Sequence, residues 1–178
     1  KVIPCYYKKD YPEWSDRGDG PGAPVAIHLP NSAVIATGKR DGSKIRLPNG
    51  NYLEETASYY VMIETKTGGY TPALITMKST QLNVSKKWNS MMKTIQIPDG
   101  KGGFAIPPMH GVVYNLASTL QKNDKGSWYG WVVTQDRILG QEDKALYLSA
   151  KDFSGNVSKG TVQTKADVEE KVSDSTPY

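Results

Sequence analysis

The stretch from Ala57 to Lys93 constrains this chain more than any other. Ala57–Thr65 and Tyr70–Met77 are rich in β-branched and aromatic residues, and Lys66-Thr67-Gly68-Gly69 between them supplies the glycines of a tight reversal. That reads as a β-hairpin. In its first arm Tyr59, Val61 and Ile63 share one face, while Tyr60 and Met62 share the other. A strand apolar on both faces belongs inside a sheet, with one face partly open for something else. The period then changes. Ser79 or Thr80 can cap a helix running to about Lys93, in which Val84, Trp88, Met91 and Met92 recur at helical spacing as one buried stripe. Asn83, Lys86, Lys87 and Ser90 take the other faces, and Lys93 closes the last turn, where a cation suits the helix dipole.

The rest of the chain is read around that unit. Residues 8–24 are expected to be an irregular arm, dense in breakers from Asp16 to Gly22. Pro24–Leu29 and Ala33–Thr37 read as short β runs, and Gly38–Gly50 as a basic, glycine-rich loop holding Lys39, Arg40, Lys44 and Arg46. Pro98–Gly103 reads as a loop and Phe104–Pro108 as extended chain. Met109–Ser118 and Trp128–Thr134 form a second hairpin around the turn signal Asn123-Asp124-Lys125-Gly126. A last helix runs from an Asp143 cap to about Val157, with Leu146, Ala150, Phe153 and Val157 on one stripe, and Gly160 stops it. The class is mainly β with two helices. Strands, hairpin, helix, hairpin, helix is the order of a small OB-like β-barrel with a helix inserted between hairpins and a second, C-terminal helix. One domain over 1–165 and a mobile acidic tail over 166–178 are expected.

Charge separates those two parts. The formal charge of the 178 residues is +4, yet residues 166–178 hold four acids and one Lys, so residues 1–165 carry +7. A basic body favours polyanions through counterion release, and an acidic tail can compete for that surface or be offered to a partner. One Cys (Cys5) excludes a disulfide framework and a Cys-rich zinc site. Two His (His28 and His110) leave little for metal or triad chemistry. No apolar run approaches the ~18 residues of a membrane span. Phosphate-loop, dinucleotide, zincin and nucleophile-elbow motifs are absent. An acidic loop starting at Asp16 would need Glu at its twelfth position to hold calcium, and Ile27 stands there. Glu54 and Glu55 are adjacent and point to opposite faces of a strand, so they make a poor acid–base pair. No catalysis, cofactor or metal is expected.

What remains is cation and aromatic surface. Single strands bind to a basic groove with rings on which bases stack. The phosphate candidates are Lys78, Lys86, Lys87, Lys93 and Lys125, with the Lys39–Arg46 loop as a further basic segment. The stacking candidates are Tyr70, Tyr114, Trp128, Tyr129 and Trp131, of which one or more would serve. Trp128 and Tyr129 are neighbours on a strand and cannot both face the core. The same rings are also ordinary strand core residues, and lysines on a helix face are ordinarily just solvated.

Tyr70–Met92, Phe104–Pro108, Asn123–Trp128 with Trp131, and the helix Ala145–Phe153 together resemble small proteins of tailed bacteriophages associated with replication and recombination, among them single-stranded DNA-binding proteins. The resemblance covers about residues 52–160. It implies a non-catalytic nucleic-acid-binding core acting in the cytoplasm of an infected bacterium, with single-stranded DNA as partner. It also implies that replication or recombination proteins can be met through the tail, whose acids are sparse here and interrupted by Lys171. Two rival functions are a virion or assembly protein, with its aromatic faces in subunit contacts, and an adaptor or inhibitor of a host protein.

Overall fold

The structure is a computed structural model and describes residues 1–16, 23–124 and 126–162. Arg17–Gly22, Lys125 and the acidic tail lie outside the described residues. In chain order the elements are β1 (Val2–Trp14), β2 (Ala26–His28), α1 (Ala33–Thr37), β3 (Lys39–Asp41), β4 (Lys44–Arg46), β5 (Tyr52–Glu54), β6 (Thr56–Glu64) and β7 (Tyr70–Lys78). They continue with α2 (Leu82–Thr94), β8 (Ile97–Pro98), β9 (Phe104–Ala105), β10 (Val112–Asn123), β11 (Gly126–Ile138) and α3 (Lys144–Ser158). The chain is mostly β, with a sheet curled into a half-barrel and two long helices, as the sequence led one to expect.

The spine is β1, whose second half, Lys8–Trp14, falls where an irregular arm over 8–24 was expected. On one side it pairs antiparallel with β6 from Val2 to Asp10 and then with β5 at Glu13 and Trp14. On the other it meets β10 at Val2 and β2 from Tyr11 to Glu13. Its polar residues concealed it in the sequence. They are satisfied by local pairing: Lys8 Nζ lies 3.1 Å from Asp10, and Lys9 Nζ 2.7 Å from Glu55. Pro4 is accommodated at a register shift between Pro4 and Tyr6, a position where a missing N–H disturbs the ladder least.

Two other expectations are corrected. Ala33–Thr37 is a short helix rather than a β run, because Ser32 follows the Pro30-Asn31 turn and its Oγ accepts the Val34 N–H at 3.4 Å. The basic stretch Gly38–Gly50 is largely a hairpin, β3 on β4, reversed by Gly42-Ser43. Gly42 has φ of +60°, which a residue with a Cβ enters only at a cost.

The first predicted hairpin is β6–β7, and its two apolar faces meet two helices. Val2, Ala57, Tyr59, Val61, Ile75, Met77, Val112 and Tyr114 face α2, which contributes Trp88 and Met92. Ile3, Cys5, Met62 and Val113 face α3 through Ala150, with Leu146 and Phe153 alongside. The strands β11-β10-β1-β6-β7 therefore curl around α2, and among the described residues β7 pairs only with β6 and β11 only with β10. The half-barrel is closed by the helix instead of by a strand. At its centre Trp88 is fully buried, stacked on Tyr59 at 4.3 Å between centroids and edge-on to Tyr114 at 5.6 Å.

The second group of strands, β2-β1-β5-β4-β3, is held at its root by Glu13. This buried carboxylate accepts Asn51 Nδ2 at 2.6 Å and Asn49 Nδ2 at 3.1 Å, and its other oxygen lies 2.7 Å from His28 Nε2. The Asn51 and His28 hydrogen bonds hold its pKa below the ordinary 4.5, against the opposing effect of burial.

Two stability predictions follow from these contacts. Trp88→Ala removes the ring that fills the half-barrel, and unfolding by urea should show a loss of about 3–5 kcal/mol. Glu13 has a depressed folded-state pKa, so its contribution is complete above the unfolded value near 4.5 and is lost as pH falls through the folded value. Glu13→Gln should therefore unfold at lower urea than the parent at pH 7, and the gap should narrow as the pH is taken below 4.5. A gap that stays constant across that range would remove the carboxylate from the account.

Candidate nucleic-acid interface

β10 and β11 are longer than the sequence implied and leave the sheet together. Beyond Tyr114, β10 pairs among the described residues only with β11, so the two strands continue as a two-stranded ribbon. Its register opposes Leu116 to Val133, Ser118 to Trp131, Leu120 to Tyr129 and Lys122 to Ser127, which places all eight on one face. At the root of that face Leu116, Trp131 and Val133 pack against the core around Trp88. Further out none of the described residues covers it: Leu120 is 60% exposed and Tyr129 is 73% exposed. An apolar strip that begins in the core thus ends in solvent, beside Lys122.

The free edge of β11 meets the start of α2. A single 3₁₀ turn, Ser79–Gln81, leads into the helix, and neither Ser79 nor Thr80 caps it with its side chain. Gln81 instead turns its Oε1 to accept the Trp131 N–H at 3.1 Å, satisfying an edge donor that has no strand partner. Gly130 leaves room here for the ends of two glutamine side chains. A Cβ at that position would fall 2.5 Å from Gln121 Nε2 and 2.8 Å from Gln81 Nε2.

The stacking candidates divide sharply. Tyr129 presents its ring to solvent. Trp128 lies on the opposite face, across from Gln121, half-buried beside a hollow of about 210 Å³ that Thr80 and Asn123 also line, and its Nε1 has no protein partner among the described residues. Trp131 is half-buried and belongs to the core. Tyr70 is half-buried against the α3-side core, and its phenol is pushed up by burial and then by Glu64. Tyr114 is corrected outright. It is fully buried, its pKa is pushed up to about 12 by burial, and a ring edge-on to Trp88 has no face to offer a base. The expectation that Trp128 and Tyr129 would separate, leaving one large ring outside, is met by Tyr129.

The cations divide as well. Lys78 lies 3.0 Å from Glu54 and 5.2 Å from the Trp14 ring centre, so its charge is already engaged. Lys86, Lys87 and Lys93 stand exposed along α2 with no ion pair among the described residues. Lys125 lies outside the described residues. In the other basic segment Lys44 sits 3.6 Å from the Tyr52 ring centre, and Arg46 pairs with Asp16 at 3.1 Å and Asp41 at 3.3 Å. That segment ends at β3, at the opposite end of the strand order from β11. Leu120 was missed in the sequence, because only the register shows that it stands opposite Tyr129. Among the described residues no three His, Cys, Asp or Glu side chains gather as metal ligands would, and no helix is long and apolar enough to cross a membrane.

Fold and surface define a small half-barrel protein with a projecting aromatic ribbon and a cationic helix. Residues 1–163 match the family described as Pam3 phage gp34-like protein, and the chain belongs to that bacteriophage family. No curated protein and no solved structure matches it. The phage origin implied by the sequence resemblance therefore stands.

Proposed function

We propose that this phage protein binds single-stranded DNA without catalysis, in support of replication or recombination in the cytoplasm of the infected cell. The observation that carries the reading is Tyr129, a solvent-exposed ring on a ribbon whose edge is joined to a helix bearing three exposed lysines with no ion pair among the described residues. Base stacking on such a ring is worth roughly 1–3 kcal/mol and is indifferent to sequence. Lys86 and Lys87 supply phosphate contacts, and Lys122 a third beside the ring. Tyr129→Ala should weaken binding of an oligo-dT strand by about 1–3 kcal/mol, measured by fluorescence anisotropy. A Lys86→Ala, Lys87→Ala double variant should lower the log–log salt slope by about 1.4. Binding indifferent to salt and to both changes would sink the reading.

A second reading, a virion or assembly protein, has its own observation. Ile27 in the short edge strand β2 and Val25 and Leu29 flanking it are 56%, 62% and 64% exposed and alternate along the chain, and among the described residues β2 pairs only with β1. An uncovered apolar row on a strand edge suits a subunit contact. If that reading holds, light scattering during size exclusion should give a regular oligomer without nucleic acid, and Ile27→Lys should dissociate it. A monomer at all concentrations would set it aside.

A further inference from the structure

At the other end of α2 from the ribbon, a cleft of about 240 Å³ opens between the last helical turn and Pro107–Met109. Its lining is largely apolar and includes Tyr7, Met92, Pro107, Pro108 and Met109. Two groups differ. Asn89 contributes an amide, and Lys93 is the one charged residue among the described residues that line the cleft. Drug-sized ligands occupy roughly 300–1,000 Å³, so this cleft suits a single ring system.

The chemistry of the lining narrows the occupant. Thioethers accept the face or edge of a ring and adapt to its shape. An amide offers donors and an acceptor together, matching the polar edge of a nucleobase. An ammonium at the rim, with no acid paired to it among the described residues, suits the phosphate attached to that base. An apolar side chain of a partner protein would use the walls but neither Asn89 nor Lys93.

We propose that the cleft takes one nucleobase of a bound single strand, with an adjoining phosphate on Lys93. The proposal rests on the strand-binding reading above and gives it a path. α2 is 13 residues long, which makes it about 20 Å from end to end. Gln81 joins its start to the ribbon and Lys93 stands at its far end. A strand stacked on Tyr129 then follows Lys86 and Lys87 along the helix and inserts a base between Met92 and Met109.

The test uses the full chain labelled with ¹³C at the methionine methyls, titrated with oligo-dT and with a strand of equal length carrying abasic sites. Anisotropy records binding of each strand independently. The Met92 and Met109 signals should shift with oligo-dT and stay near their free positions with the abasic strand, while Met62, on the α3 side of the sheet, remains still. Asn89→Ala should weaken oligo-dT by about 2- to 13-fold, the range of one hydrogen bond, and leave the abasic strand unaffected. Lys93→Gln, a change on an exposed side chain, should lower the salt slope by about 0.7. If both strands bind and the two methyls stay still or move alike, the cleft holds no base and strand binding survives without it. If neither strand binds, both readings fall.

Discussion

The fold turns on the burial of Trp88. A half-barrel of five antiparallel strands leaves its concave face and two edges open; one helix fills the face, and Gln81 at its start meets the β11 edge. Trp88 fills the interior, stacked on Tyr59 from β6 and edge-on to Tyr114 from β10. Each such aromatic contact adds roughly 0.5–1.5 kcal/mol beyond the area it buries. Tyr59 is itself held by Ser85 of the same helix, whose Oγ lies 2.7 Å from its hydroxyl. The ring that anchors the helix is thus oriented by the helix it anchors. Tyr114 and Trp131 follow from this arrangement as core residues, whatever their β-strand setting suggests about binding.

The same helix explains why an apolar face reaches solvent. With Gln81 on the Trp131 N–H, the edge of β11 is closed at that point, and the ribbon beyond it needs no further strand. A two-stranded ribbon alone is marginally stable in water. This one is held by its root, where Leu116, Trp131 and Val133 pack into the core. Its outer pair, Leu120 and Tyr129, contributes little to that packing. The exposed ring of Tyr129 has no packing role, and the exposed lysines nearest it lie along α2 and the ribbon. The strand group on Glu13 stands apart: a carboxylate saturated by two amides and a histidine ties β1, β2 and the turn before β5 into one unit.

Much of the fold was legible where one physical signal dominated. The β6–β7 hairpin and the Trp88 stripe were readable because alternation and helical spacing each bury a continuous face there. The α3 stripe was readable for the same reason, although Asp143 spends its carboxylate on Arg137 and the Gly140 N–H instead of capping the helix. β1 was hidden because Lys8, Lys9 and Asp10 break its pattern; Lys8 and Asp10 pair with each other, and Lys9 is met by Glu55 from far along the chain. The site was half legible. Alternation required one of Trp128 and Tyr129 to face outward, but nothing local told Tyr114 from Tyr129, both tyrosines in long strands.

The sequence by itself determined the element types over the central hairpin and both long helices, the basic body, and the phage family to which the chain belongs. Those properties are sums over near neighbours: alternation, helical period, charge and motif. Only the tertiary structure decided which rings are free, which lysines are already paired, and that a cleft forms where α2 ends against Pro107–Met109. Each of these depends on contacts between residues far apart in the chain. Glu54 reaches Lys78, Gln81 reaches Trp131, and Tyr7 shares a wall with Tyr114. Burial and pairing are properties of the assembled fold, so exposure, and with it the means to bind, is set only when the chain closes on Trp88.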